Sequence, residues 1–139
     1  MFRRILVPVD FSPRSLRAAR AAARVAASTG GKTTLLHVIE RIDEDDSSGL
    51  AGFYRKLEKS ARERMKRFFL PFVKRRLPVK AEILYGKPVN EILHFAGSHR
   101  TDLIVMSSHK IPLRRGGASW GTISYKVGIL SRCPVLLVK

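Results

Sequence analysis

The sequence is short of acids, of sulfur and of long apolar runs. It sets 11 Asp and Glu against 27 Lys and Arg, a formal net charge of +16. Its single cysteine, Cys133, excludes an intramolecular disulfide scaffold. No apolar stretch approaches the roughly 18 residues that a membrane-crossing helix needs. Metal-binding signatures are also missing. His37, His94, His99 and His109 include no pair three or four residues apart, and there is no CxxC or HExxH. The opening MFRRILVPVDFS has too short an apolar run for a signal peptide, and Asp10 follows at once. The expected compartment is a reducing cytoplasm.

What is present fits one domain over residues 1–139. Hydrophobic residues make up 45% of the chain, enough to fill a core at this length. The charge is uneven. Five of the 11 acids fall between Glu40 and Asp46, while residues 51–80 hold 11 Lys and Arg with only Glu58 and Glu63. Such a balance suits a nucleic acid, an anionic membrane surface or a phosphorylated ligand, and equally a solvated basic surface. Composition leaves these open.

Short apolar runs alternate with longer periodic stretches. Ile5-Leu6-Val7, Thr33 to Ile39, Val79 to Tyr85, Leu103 to Met106 and Val135 to Val138 read as five strands. Between them, Ser12-Pro13 opens a helix that Gly30-Gly31 stops. Leu50, Phe53, Leu57, Ala61, Met65, Phe68 and Phe72 mark the apolar face of a second helix, ended or kinked near Pro71. Phe53, Phe68 and Phe72 are expected in the core, with Tyr54 and Phe69 offset from it. Pro88 opens a third helix, and Ile123, Val127 and Leu130 mark a fourth. This β-α-β-α-β-α-β-α-β order predicts an α/β fold, a doubly wound parallel sheet covered by helices on both faces. Ligands of such sheets bind beyond the carboxyl ends of the strands, at a topological switch point. The candidates are therefore Pro8-Val9-Asp10, His37-Val38, Gly86 and Met106 through Gly121.

The segments ILVPVDFS, LLHVIE, YGKPVNEIL, M-S-S-H and the closing GTISYKVGILSRCPVLLVK together resemble the universal stress protein family. The likeness covers essentially the whole chain in the right order. It implies a five-stranded sheet of order 3-2-1-4-5, of the adenine-nucleotide α-hydrolase-like type, and a homodimer formed partly through the last strand. It also implies a stress-response role with ATP or a related adenine nucleotide as ligand, with or without Mg²⁺, although some members lack a nucleotide. Asp10 would contact adenine or ribose, over an apolar bed of Pro8, Val9 and Val38. Met106, Ser107, Ser108, Lys110, Gly121, Thr122, Ile123 and Ser124 would belong to the phosphate loop and the helix start behind it.

The loop departs from the family pattern G-x2-G-x9-G-[S/T]. Ser107 and Lys110 stand at the first two glycine positions, and ten residues separate Lys110 from Gly121. A side chain then replaces hydrogen where phosphate should approach backbone. Ser108, Thr122 and Ser124 offer hydroxyls in compensation, Lys110, Arg114 and Arg115 offer charge, and Gly116-Gly117 offer flexibility. Each candidate also has a plainer reading: Asp10 and Thr122 as helix caps, the cations as solvated charge, Trp120 and Cys133 as packing groups. No catalytic constellation is evident, since Ser108-His109 are adjacent and no nucleophile elbow is present. Two functions follow. One is a regulatory protein that binds an adenine nucleotide and acts on an unknown protein partner. The other is a nucleotide-free module that docks its basic surface on nucleic acid, an acidic protein or a membrane-protein domain. Arg55, Lys59, Arg62 and Lys66, three and four residues apart, form the most regular basic stripe.

Overall fold

In a computed structural model, residues 1–41, 49–108 and 122–139 are described. The acids Asp43 to Asp46, and His109, Lys110, Arg114, Arg115, Gly116-Gly117, Trp120 and Gly121, lie outside the described residues.

The apolar runs become β1 (Arg4–Pro8), β2 (Lys32–Ile39), β3 (Val79–Tyr85), β4 (Leu103–Ser107) and β5 (Val135–Val138). They pair in parallel in the order β3-β2-β1-β4-β5. Both faces of the central strands are buried, which is why their sequences run apolar without alternation. Ile5, Val7, Leu35 and Val105 point to one face; Leu6, Leu36, Ile104 and Met106 point to the other.

The helices α1 (Pro13–Thr29) and α2 (Ala51–Val73) cover the first face. The helices α3 (Pro88–Ser98) and α4 (Ile123–Leu130) cover the second. Local chemistry sets their ends. Ser12 caps α1 by accepting the Ser15 N–H, Pro13 takes the first turn, and Gly30 closes the helix at φ 74°. Ala18, Ala19, Ala22, Ala23 and Ala26 are fully buried, so α1 lies close against the sheet.

The apolar face of α2 differs at its start from the expected one. Tyr54 is buried, whereas Phe53 is 49% exposed and Leu57 is 37% exposed. The cause is helical drift. Five steps of about 3.6 residues back from Phe72 lead to position 54, one residue from Phe53 and about 100° away around the axis. Tyr54 there meets Tyr85 edge-on at 6.1 Å. The Tyr85 hydroxyl donates to Glu58 at 2.7 Å, tying α2 to the edge strand. That bond, then Arg62, holds the Glu58 carboxyl below its usual range; burial, then Glu58, pushes the Tyr85 hydroxyl up. Pro71 stands inside the last turn, and α2 ends two residues later.

One carboxylate fixes the start of the central strands. Asp102, just before β4, accepts the backbone N–H groups of Arg3 and Arg4, each at 2.9 Å. Partial burial would raise its carboxyl, but these N–H donors outweigh it and hold it below the ordinary range. Thr33 of β2 carries a buried hydroxyl with no hydrogen-bond partner among the described residues.

Candidate functional site

The chain reverses direction across the sheet between β1 and β4, because β1 leads outward to β2 while β4 leads outward to β5. The loops leaving two such strands diverge and open a crevice at their carboxyl ends. A cleft of about 360 Å³ lies there, within the usual range for small-molecule sites.

Its apolar walls come from Pro8 and Val9 of β1, Leu36 and Val38 of β2, Ile92 of α3 and Met106 of β4. Its polar groups are Asp10, His37, Ser107, Thr122 and Ser124. Hydrogen bonds brace the walls. The Val9 N–H donates to Leu36 O at 2.8 Å, and the His37 ring donates from Nδ1 to Val9 O at 2.8 Å.

Asp10 is exposed at the mouth, where its Oδ1 accepts the Ser12 N–H at 2.9 Å. The carboxylate thus shapes the turn into α1 while lining the cleft. Between them, Phe11 takes the left-handed conformation, φ 64°, uncommon for a bulky residue. Its ring lies 4.3 Å from the His37 ring and 5.7 Å from Phe68, and this packing holds the turn. On the opposite wall Thr122 caps α4, its hydroxyl accepting the Tyr125 N–H at 3.3 Å. The first amides of α4 have no partner within the helix, so this end presents donors and a partial positive charge.

The structure brings together nine of the twelve candidate residues: Pro8, Val9, Asp10, Val38, Met106, Ser107, Thr122, Ile123 and Ser124. Ser108 is not among the lining groups; its N–H donates to Val138 O at 3.0 Å and extends the β4–β5 ladder. Lys110 and Gly121 lie outside the described residues. Leu36, Pro88 and Ile92 line the cleft without having been expected there, and His37, expected from the strand order alone, lines it too. His37 was signalled by its place at the end of β2, and Pro88 by the turn after Gly86. Among the described residues no group of three or more His, Cys, Asp or Glu could hold a metal ion. No helix among them is long and apolar enough to cross a membrane.

A doubly wound α/β domain with a mixed apolar and hydroxyl-lined crevice at its switch point has the architecture in which such sheets hold small ligands. The universal stress protein family model matches residues 1–139. A universal stress protein of Thermus aquaticus is 31% identical over 141 residues, covering all of both chains. The solved structure of the universal stress protein UspA from Lactobacillus plantarum superposes with a TM-score of 0.82 at 24% identity, over 99% of this chain and 98% of that one. The chain belongs to the universal stress protein family. Two further structures share the fold at 21–22% identity: one is a universal stress protein in complex with cAMP (TM-score 0.69, 99% of this chain and 97% of that one), the other a protein from Archaeoglobus fulgidus in complex with dAMP (TM-score 0.71, all of both chains).

Proposed function

We propose that this chain binds an adenine nucleotide in the crevice between β1 and β4 and acts as a nucleotide-responsive stress protein. The observation that carries the reading is the pairing of an apolar slot with Asp10 on one lip and a capped helix start on the other. A flat base fits between Val9, Val38 and Met106. The Asp10 carboxylate accepts hydrogen bonds from ribose hydroxyls. Thr122, Ser124 and the amides that open α4 offer donors to a phosphate. The complexes of related folds with cAMP and dAMP support this ligand class. Any Mg²⁺ would arrive with the phosphates, since the described lining offers Asp10 as its only carboxylate. Denaturing the purified protein and analysing the supernatant for adenine nucleotide, then titrating AMP and ATP by calorimetry, tests it. No released nucleotide and no heat at millimolar ligand would overturn it.

The same reading includes a homodimer through β5. This edge strand exposes Leu136 and Leu137, at 42% and 37%, beside the exposed Ile129 and Leu130 of α4. An uncovered apolar edge of this kind is suited to strand pairing with a second copy. Light scattering after gel filtration should give twice the chain mass, falling to the single-chain mass in Leu136→Lys.

A further inference from the structure

Most of the excess charge lies on one side of the sheet. Helices α1 and α2 with the turn 74–76 hold fourteen Lys and Arg against Glu58 and Glu63 alone. Helices α3 and α4, on the other face, hold one charge of each sign, Glu91 and Lys126.

Within the basic face the charge is not evenly usable. The regular stripe on α2 partly neutralises itself, because Arg62 pairs with Glu58 at 2.8 Å and Lys66 with Glu63 at 3.1 Å. The other flank of α2 differs. There a groove of about 530 Å³ runs between α2 and α1, walled by Arg20 and Arg24 on one side and Arg67, Lys74 and Arg75 on the other. Among the described residues, Leu16, Leu70 and Pro71 form the rest of its lining, and no carboxylate lines it. All five cations are exposed. Among the described residues, none of them is paired with an acid.

We propose that this groove is a second ligand site, a docking surface for the phosphodiester backbone of duplex nucleic acid, read without sequence preference. Cations on two facing walls can hold a chain of phosphates between them. Four of the five are arginines, whose planar forks bind phosphate oxygens in pairs. The concave shape disfavours a lipid surface, which meets ridges rather than grooves. No aromatic side chain is among the described lining residues, which disfavours single strands, since these need stacking platforms.

The test is fluorescence anisotropy of the full chain with a labelled duplex of about 20 base pairs, twice the length α2 spans, titrated across salt. In Arg24→Gln/Arg67→Gln/Arg75→Gln the slope of log affinity against log salt should fall by about 2.7, from about 0.9 per lost phosphate contact. Affinity near 0.1 M salt should drop at least ~10-fold. The variant Lys32→Gln/Lys80→Gln/Arg100→Gln removes the same charge outside the groove and should leave most of the slope in place. Equal losses in the two variants would reduce the effect to net charge and overturn the site. So would absence of duplex binding, or a groove variant that stays folded by circular dichroism and binds as the parent does. Vesicles of phosphatidylglycerol and phosphatidylcholine provide the lipid arm; tighter groove-dependent binding to them than to duplex would also overturn it.

Discussion

The proposed site gives Asp10 two tasks, and two substitutions separate them. Its Oδ1 accepts the Ser12 N–H at 2.9 Å and its carboxylate lies on the cleft mouth. Asp10→Asn keeps an oxygen for Ser12 and removes the charge. Asp10→Ala removes both. A hydrogen bond to a charged group contributes about 1.5–3 kcal/mol and a neutral one about 1. Asp10→Asn should therefore cost about 1 kcal/mol of nucleotide binding, roughly 5-fold in Kd, and Asp10→Ala about 2–3 kcal/mol, roughly 30- to 150-fold. The Ser12 bond is solvent-exposed, so its loss in the alanine variant should lower stability by only about 0.5–1 kcal/mol. Calorimetric titration with AMP reads the first quantity and thermal melting the second. If Asp10→Ala melted lower yet bound AMP within twofold of the parent, Asp10 would be a turn residue alone, and the assignment of a ribose contact would be refuted.

Three further outcomes follow from the packing. Thr33→Val replaces a buried, unpaired hydroxyl by a methyl of the same shape, so it should stabilise by about 1 kcal/mol; scanning calorimetry should show Tm rising by about 3 °C, and a fall would mean the hydroxyl has a partner. Gly86 has φ 147°, and a Cβ there would lie 2.7 Å from the Glu91 carboxylate. Gly86→Ala should cost about 1–3 kcal/mol in denaturant unfolding. Adding Glu91→Ala should recover only the steric part, and full recovery would show the backbone to be unstrained. Asp102 has a carboxyl held below its ordinary 3.8, so its contribution is complete above that value and lost as pH falls through the lower folded value. Asp102→Asn should melt lower than the parent at pH 6, with the gap closing below about pH 4; a gap constant with pH would refute the charge dependence.

The sheet and most element boundaries were legible because each apolar run stands between helices with their own start and stop residues. The start of α2 was not. Phe53 and Tyr54 are both aromatic, and only the helical phase carried back from Phe72 selects the second. Strand ends were legible as crevice residues because the switch-point rule depends on order alone. It could not say that Ser108 would be drawn into the β4–β5 ladder, or that Ile92 of α3 would close the slot from above. Least legible was the basic groove. Arg24 and Arg67 are 43 residues apart, and nothing local in either helix states that their flanks will face one another. The regular spacing of Arg55, Lys59, Arg62 and Lys66 drew attention to a stripe that two carboxylates partly neutralise.

The strand order also has a consequence in time. The groove between α1 and α2 uses residues 16–75 only, and its supporting pairs β1–β2 and β2–β3 close within the first 85 residues. The crevice instead spans Pro8 to Ser124, and β1 meets β4 through Ile5 and Leu103, almost a hundred residues along the chain. Contacts of such separation form late, because closing a long loop costs entropy before any pairing is gained. A chain emerging from the ribosome would thus pair β1, β2 and β3 and lay α2 on them before β4 arrives to seat α1 and open the crevice. In pulsed hydrogen exchange during refolding, amides of β2 should gain protection before those of β4 and β5. The crevice is then a feature only the finished molecule has, and a nucleotide held there would select chains that have completed folding.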